Sequence, residues 1–148
     1  MSDEKKISKM ESFFMALADK TRLRLLNLMR EGEICVCFFV EVLGESQPKI
    51  SRHLAYLRNA GIVEARRDGK WIHYRIVEPE NDFEAQVLRN TLVWLGSQEK
   101  MQSEYGKLAE VCCSFDVAVT ISRAPKPNTF VEANVSKNQG RELETFLL

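Results

Sequence analysis

Apolar residues recur at helical spacing through the first sixty positions, and each run is bracketed by residues that start or stop a helix. Ile7, Met10, Phe13, Phe14 and Leu17 predict a short opening helix. Asp19 can cap a second helix in which Leu23, Leu26, Leu28 and Met29 face inward, Arg22, Arg24 and Arg30 face outward, and Gly32 ends the run. A third helix is expected from about Cys35 to Leu43, burying Phe38, Phe39, Val42 and Leu43, with Gly44 making the turn out of it. Ser46 can cap a fourth, Pro48 falls in its first turn where a missing N–H is harmless, and Gly61 closes it. In that fourth segment Ile50, Leu54 and Leu57 form one apolar stripe, while Lys49, Arg52, His53 and Tyr56 cluster on the opposite side. Two helices joined through Leu43-Gly44-Glu45-Ser46 make a helix-turn-helix.

After Gly61 the period shortens to two. Ile62 to Arg67 and Trp71 to Val77 are rich in β-branched and aromatic residues, and Asp68-Gly69 between them predicts a hairpin, the wing. Pro79 breaks the chain, and Asp82 can cap a long helix to about Val111, carrying Phe83, Val87, Leu88, Leu92, Leu95, Tyr105 and Leu108, with Gly96 and Gly106 weakening it locally. Val117, Val119 and Ile121 then alternate as in a strand, and Pro125, Pro127 and the polar stretch to Gly140 predict loop or tail. The pattern predicts a mainly α fold with a β-hairpin wing (α+β), a winged helix-turn-helix over residues 1–111 followed by a C-terminal extension, 112–148, with no functional reading for 123–148. The opening helix and the long late helix carry more apolar surface than a small winged domain covers, so a homodimer through those two helices is expected.

Composition narrows the class. The chain has 148 residues, 45% hydrophobic and 28% charged, as in one globular domain with some residues to spare. It contains no apolar run long enough to span a membrane, and MSDEKKISKM has no apolar signal core, so a cytoplasmic location is expected. Net charge is zero, yet between Gln47 and Arg75 seven basic residues stand against two acidic ones. A basic module inside an acidic remainder suits a protein that meets DNA with one face. Arg66, Arg67 and Lys70 surround the expected wing tip, within reach of a phosphate or a minor groove. Alone, the stretch Ser46–Gly61 fits equally an amphipathic surface helix with a solvated basic face.

The candidate chemistry lies in four cysteines arranged as two tight pairs, Cys35 with Cys37 and Cys112 with Cys113. In a reducing compartment such pairs serve more often as ligands or redox groups than as structural disulfides. Both histidines, His53 and His73, belong to the basic module. With no glycine-rich phosphate loop and no other imidazole to act as a general base, an enzyme is disfavoured. A winged module that makes only protein contacts is the remaining competitor, and it predicts no salt-dependent operator binding.

Residues Ala16 to Ile76 resemble the ArsR/SmtB family of metal-sensing winged-helix repressors, through ALADKTRLRLLNLM, EICVC, LGESQPKISRHLAYLRNAGIV and RRDGKWIHYRI in that order. The resemblance implies a homodimer on operator DNA that leaves when a metal ion binds. It implies Ser46, Gln47, Lys49, Ser51, Arg52 and His53 as helix contacts to DNA and Arg67 and Lys70 as wing contacts, on two half-sites about one helical turn apart. EICVC resembles the arsenic- and cadmium-sensing subgroup, which implies Cys35 and Cys37 as ligands of As(III) or Sb(III), soft ions that take three thiolates. The best-known arsenic pattern has a third cysteine where this chain has Val40, so the third thiolate is expected from Cys112 or Cys113. Zinc is disfavoured because the helix after Asp82 contains no histidine. A cadmium or lead sensor, and a repressor switched by a disulfide between the same cysteines, are the alternatives. If Cys35 and Cys37 both lay on an intact helix they would point about 200° apart, so ligation is expected to unwind the helix start. A position near a helix N-terminus should also favour thiolate.

Overall fold

Four helices begin where a side chain can take up an orphan backbone N–H: Ser2, Asp19, Ser46 and Asn81 each accept from a residue two or three positions on. The computed structural model describes residues 2–113 and 124–128. Its elements are α1 (Asp3–Leu17), α2 (Lys20–Met29), β1 (Ile34–Cys35), α3 (Val36–Leu43), α4 (Gln47–Asn59), β2 (Val63–Asp68), β3 (Trp71–Ile76), α5 (Asp82–Ser97) and α6 (Glu99–Cys113). The architecture is the mainly α fold with a β-hairpin wing that the pattern predicts. The strand expected around Val117, Val119 and Ile121 lies outside the described residues.

The helix-turn-helix is set by two glycines. Gly44, at φ 65°, gives the left-handed turn out of α3. Gly61, at φ 75°, closes α4: its N–H donates to Arg58 O and the N–H of Ile62 to Leu57 O, the paired bonds of a Schellman cap. Ile50, Leu54 and Leu57 are fully buried and meet Leu25, Leu26, Phe38, Phe39 and Ile62 in the core. Each such side chain contributes about 2 kcal/mol of burial energy, which fixes the roll of α4 and leaves its other face outward.

Four local expectations are corrected. The helix expected from Asp82 to Val111 is two helices, because Gln98 is extended (φ −83°, ψ 132°). Ser97 Oγ and Gln98 Nε2 donate to Trp94 O and Gln102 Nε2 to Gly96 O, so side chains serve the carbonyls that the break releases. Gly96 is where α5 touches α2: a Cβ there would collide with the Arg30 guanidinium. Asn81, not Asp82, caps α5. The hairpin pairs Asp68 with Trp71, which makes Gly69-Lys70 the two-residue loop. A positive φ at Gly69 and at no non-glycine residue among those described is the signature of a type II′ turn. Lastly, Arg22 and Arg24 are not solvated. Arg22 Nε and Nη2 donate to Ala16 O and Met15 O at the end of α1, and Arg24 Nε donates to Glu104 of α6 at 2.7 Å.

Some large apolar residues of α1 and α5 remain uncovered. Ile7, Phe14, Met15, Phe83, Val93 and Trp94 are exposed, and the rings of Phe14 and Phe83 lie edge to face at 6.5 Å. Among the described residues no helix is long and apolar enough to cross a membrane.

Candidate sensor and DNA interface

The two nearest cysteines are brought together by a strand too short to read from the pattern. Ile34 and Cys35 pair antiparallel with Tyr74 and His73 of the wing, so the sheet order is β1-β3-β2. Cys35 is therefore extended (φ −71°, ψ 140°) and stands at the N-cap of α3, while Cys37 lies in its first turn. This corrects the expectation of two sulfurs on opposite sides of a helix. Because Cys35 is outside the helix, the sulfurs already converge: the Cys37 thiol donates to Cys35 Sγ at 3.3 Å. No unwinding is needed for both to reach one ion.

That contact splits the two thiols electrostatically. The Cys37 S–H bond stabilises the Cys35 thiolate, burial opposes it, and the backbone N–H groups of Cys37, Ile72 and Val36 help, for a net fall to about 7. Cys37 moves the other way: donating to Cys35 and burial both hold its proton. The pair therefore tends towards one thiolate and one thiol. Ile72 belongs to the wing strand β3, so the sulfur of Cys35 is tied electrostatically to the wing as well as to α3.

Cys35, itself buried, and Cys37 line a cavity of about 440 Å³ that also reaches α4 and the wing. Its walls include Val36, Val40, Ile72 and Tyr74, then Gln47 and Ser51 of α4, and Lys70 and Trp71 of the wing. Cys112 is not among its walls. It is fully buried in the core at the end of α6. Among the described residues no group of three His, Cys, Asp or Glu side chains is arranged to hold a metal ion. The donors present thus fit a soft trivalent ion in number for two of three positions, and their separation fits: two metal–sulfur bonds of about 2.3 Å meeting at roughly a right angle span about 3.3 Å. Cys113 is the last residue of α6, and the position of its side chain lies outside what is described.

The residues expected at DNA do not share one environment. Ser46, Gln47, Ser51 and Arg52 are exposed along one side of α4, and Lys49, half-buried, is paired with Glu45 at 3.1 Å. His53 faces inward instead, with Nδ1 3.4 Å from Arg22 and 3.7 Å from Asp19 of α2. Arg67 and Lys70 are exposed at the wing, Arg67 donating to Gly69 O and Lys70 lying 4.9 Å above the Trp71 ring. Arg66 makes a two-pronged contact to Glu33, as close as 2.6 Å, which clips the wing to the residues leading into β1. Pro125 to Asn128 of the extension line a hollow of about 300 Å³ beside Glu31, Glu33, Arg66 and His73. Trp71 reads in sequence as wing packing, and Glu33 gives no sequence signal of its own. The structure places Trp71 on the wall of the cavity beside Cys35 and Cys37, and Glu33 outside it, paired with Arg66.

A helix-turn-helix with an outward polar helix face, a basic wing beside it and a short linking sheet defines a winged helix-turn-helix DNA-binding regulator. The chain belongs to the arsR family of bacterial regulatory proteins, whose model matches residues 19–65. It is 44% identical over 104 residues to the arsenical resistance operon repressor of Escherichia coli, covering 70% of this chain and 87% of that protein. Among solved structures it is similar to the homodimeric winged helix-turn-helix DNA-binding domain of a possible ArsR-family regulator from Mycobacterium bovis (TM-score 0.52, 28% identity, 67% of this chain and 94% of that one). It is also similar to the antimony-specific transcriptional repressor AntR (TM-score 0.50, 33% identity, 64% of this chain and 83% of that one). All three are described as regulators or repressors of transcription or of an operon.

Proposed function

We propose that this protein is a cytoplasmic, homodimeric repressor that releases its operator when As(III) or Sb(III) binds Cys35, Cys37 and a third thiolate from Cys112 or Cys113. One observation carries the reading: Cys35 and Cys37, their sulfurs 3.3 Å apart, line a cavity whose far walls are Gln47, Ser51 and Lys70, side chains of the DNA-reading surface. The names of the arsenical and antimony repressors it resembles support the choice of ion. Ser46, Gln47, Lys49, Ser51 and Arg52 with Arg67 and Lys70 are the proposed DNA contacts, and His53 supports α4 from behind. The uncovered apolar residues of α1 and α5 fit the face that a second copy covers.

Sensor and reader are coupled in two ways. Ion binding occupies the sulfur lone pairs that face the Ile72 N–H, which loosens β1 from the wing. The ion also fills space beside Gln47 and Ser51 at the start of α4. Arsenite titration of the operator-bound protein, followed by fluorescence anisotropy, tests the reading. Release by the natural chain and none by Cys35→Ser is the expected result, with both binding operator equally well beforehand. Equal arsenite response from the two would overturn it. If instead release requires an oxidant and a Cys35–Cys37 disulfide appears, the disulfide switch is correct. Release by cadmium or lead in preference to arsenite would favour those ions.

A further inference from the structure

The guanidinium of Arg22 touches two helices besides its own. Its Nε donates to Ala16 O at 2.8 Å and its Nη2 to Met15 O at 2.9 Å, so it caps the end of α1, a helix with no basic residue in its own last turn. Nη1 lies 3.4 Å from His53 Nδ1, and the flat face of the group lies 4.1 Å from the centre of the Tyr56 ring, both on α4. The backbone of Arg22 belongs to the first turn of α2, where its N–H donates to the Asp19 cap. Between α1 and the end of α4 there is a hollow of about 200 Å³, lined by Ser12, Tyr56, Asn59 and Ala60, so close packing does not fix their angle at that point. The Arg22 side chain that spans the two helices is only 11% exposed. A planar fork held along its edges and stacked on one face permits little rotation of α4 against α1 before a contact is lost.

We propose that Arg22 is a positioning residue for operator recognition: it sets the angle of the reading helix α4 against α1 and thereby fixes the half-site spacing that two subunits read together. The inference rests on the reading of the protein as an operator-binding dimer through α1 and α5. In such a dimer α1 is fixed to the two-fold axis and α4 to the major groove, and Arg22 ties one to the other in each subunit. The guanidinium is spent inside the subunit, so its effect on DNA passes through α4. One extra base pair between half-sites turns one against the other by about 35° and moves it by about 3.4 Å, a misfit that a held α4 cannot absorb. Lysine in place of Arg22 keeps the charge but offers a single point of contact, so it frees the angle without removing a cation.

The test uses the full-length protein and three duplexes: one that the natural chain selects from a random-sequence library, the same duplex with one base pair inserted at its centre, and its single half-site. For the natural chain the insertion should weaken binding by about tenfold or more. For Arg22→Lys, still dimeric by sedimentation, that penalty should shrink to about threefold or less while half-site affinity stays within about twofold. The double variant His53→Leu/Tyr56→Leu cuts the same link from the α4 end and leaves the α1 carbonyls held. Its spacing penalty should shrink as well, and it decides the matter if Arg22→Lys does not fold. A penalty that survives in the folded variant, even with all three affinities lowered together, shows a merely structural arginine and overturns the inference. So does a natural chain indifferent to the insertion, and both results leave DNA binding intact. A natural chain that is monomeric, or that selects no duplex, overturns the operator-binding dimer as well.

Discussion

The two places where cysteine enters the described structure differ in their neighbours, although Cys35 and Cys112 are both buried in the core. Cys35 stands at the junction of a strand and a helix, 3.3 Å from Cys37, with a cavity in front of it and the wing's backbone behind it. Cys112 lies near the end of α6, fully buried among core residues. The first setting shifts thiol chemistry through a neighbouring thiol beside a cavity; the second surrounds its sulfur with core residues. Between Cys35 and Cys37 the backbone passes from strand to helix, and that turn, not their spacing in sequence, brings the two sulfurs together.

The largest effect that would break this contrast is loss of response. Cys35→Ser or Cys37→Ser should weaken arsenite binding by about a hundredfold or more while operator affinity stays within about twofold, because neither side chain is proposed to touch DNA. Arsenite calorimetry beside operator anisotropy checks both halves. If Cys112→Ser abolished binding and Cys35→Ser did not, the roles assigned to the two settings would be exchanged.

Next in size is stability. A serine hydroxyl at the fully buried Cys112 should cost about 1–3 kcal/mol, a fall in melting temperature of several degrees. Cys37→Ser, at a partly exposed position bordering a cavity, should lower it far less. Thermal unfolding of both variants at one protein concentration makes the comparison, since a dimer's melting point depends on concentration. Equal losses would mean that Cys37 is packed as tightly as Cys112.

Much of the reader was legible because helix and hairpin signals come from local chemistry. Ser46, Gly44 and Gly61 each act within a few residues, and Ile50, Leu54 and Leu57 repeat on one face, so α4 and its outward side follow from the pattern. The arrangement of the sensor was not legible. Two residues of strand carry no periodicity, and only the long-range pairing of Cys35 with His73 removes Cys35 from α3 and turns its sulfur towards Cys37. The same limit explains His53 and Arg22. A basic side chain looks solvated in sequence until another helix arrives, and here α2 supplies Asp19 and α1 its last carbonyls. The break at Gln98 has a local cause, side chains that serve released carbonyls, but Gly96 alone signalled only weakness, because Arg30 comes from α2.

A smaller effect separates the thiols by charge. One thiolate per subunit should appear through a midpoint near pH 7, seen in ultraviolet absorbance, and Cys35→Ser should remove it. Cys37→Ser should raise the midpoint toward that of an ordinary thiol if its hydroxyl donates less effectively to Cys35. A first thiolate that survives Cys35→Ser would assign the lowered value to another cysteine.

The smallest predicted effect concerns acid, on the helix that backs the reader. Asp19 is lowered from its usual 3.8: burial alone would raise it, but the Arg22 N–H bond, the Arg22 charge and His53 outweigh burial. A carboxyl lowered on folding contributes stability that is complete above its unfolded value and disappears as pH falls through its folded value. Asp19→Asn keeps an acceptor for the α2 cap yet removes the charge, so it should flatten the melting-temperature profile below about pH 4 and cost little of the cap itself. Because Asp19 also faces His53, the variant should shift how firmly α4 is held while leaving Cys35 untouched. Operator affinity should therefore fall slightly, and arsenite affinity should not change. If arsenite affinity fell in step with operator affinity, α2 would be part of the sensor, and the separation between a thiol site at the wing and a support behind α4 would be lost.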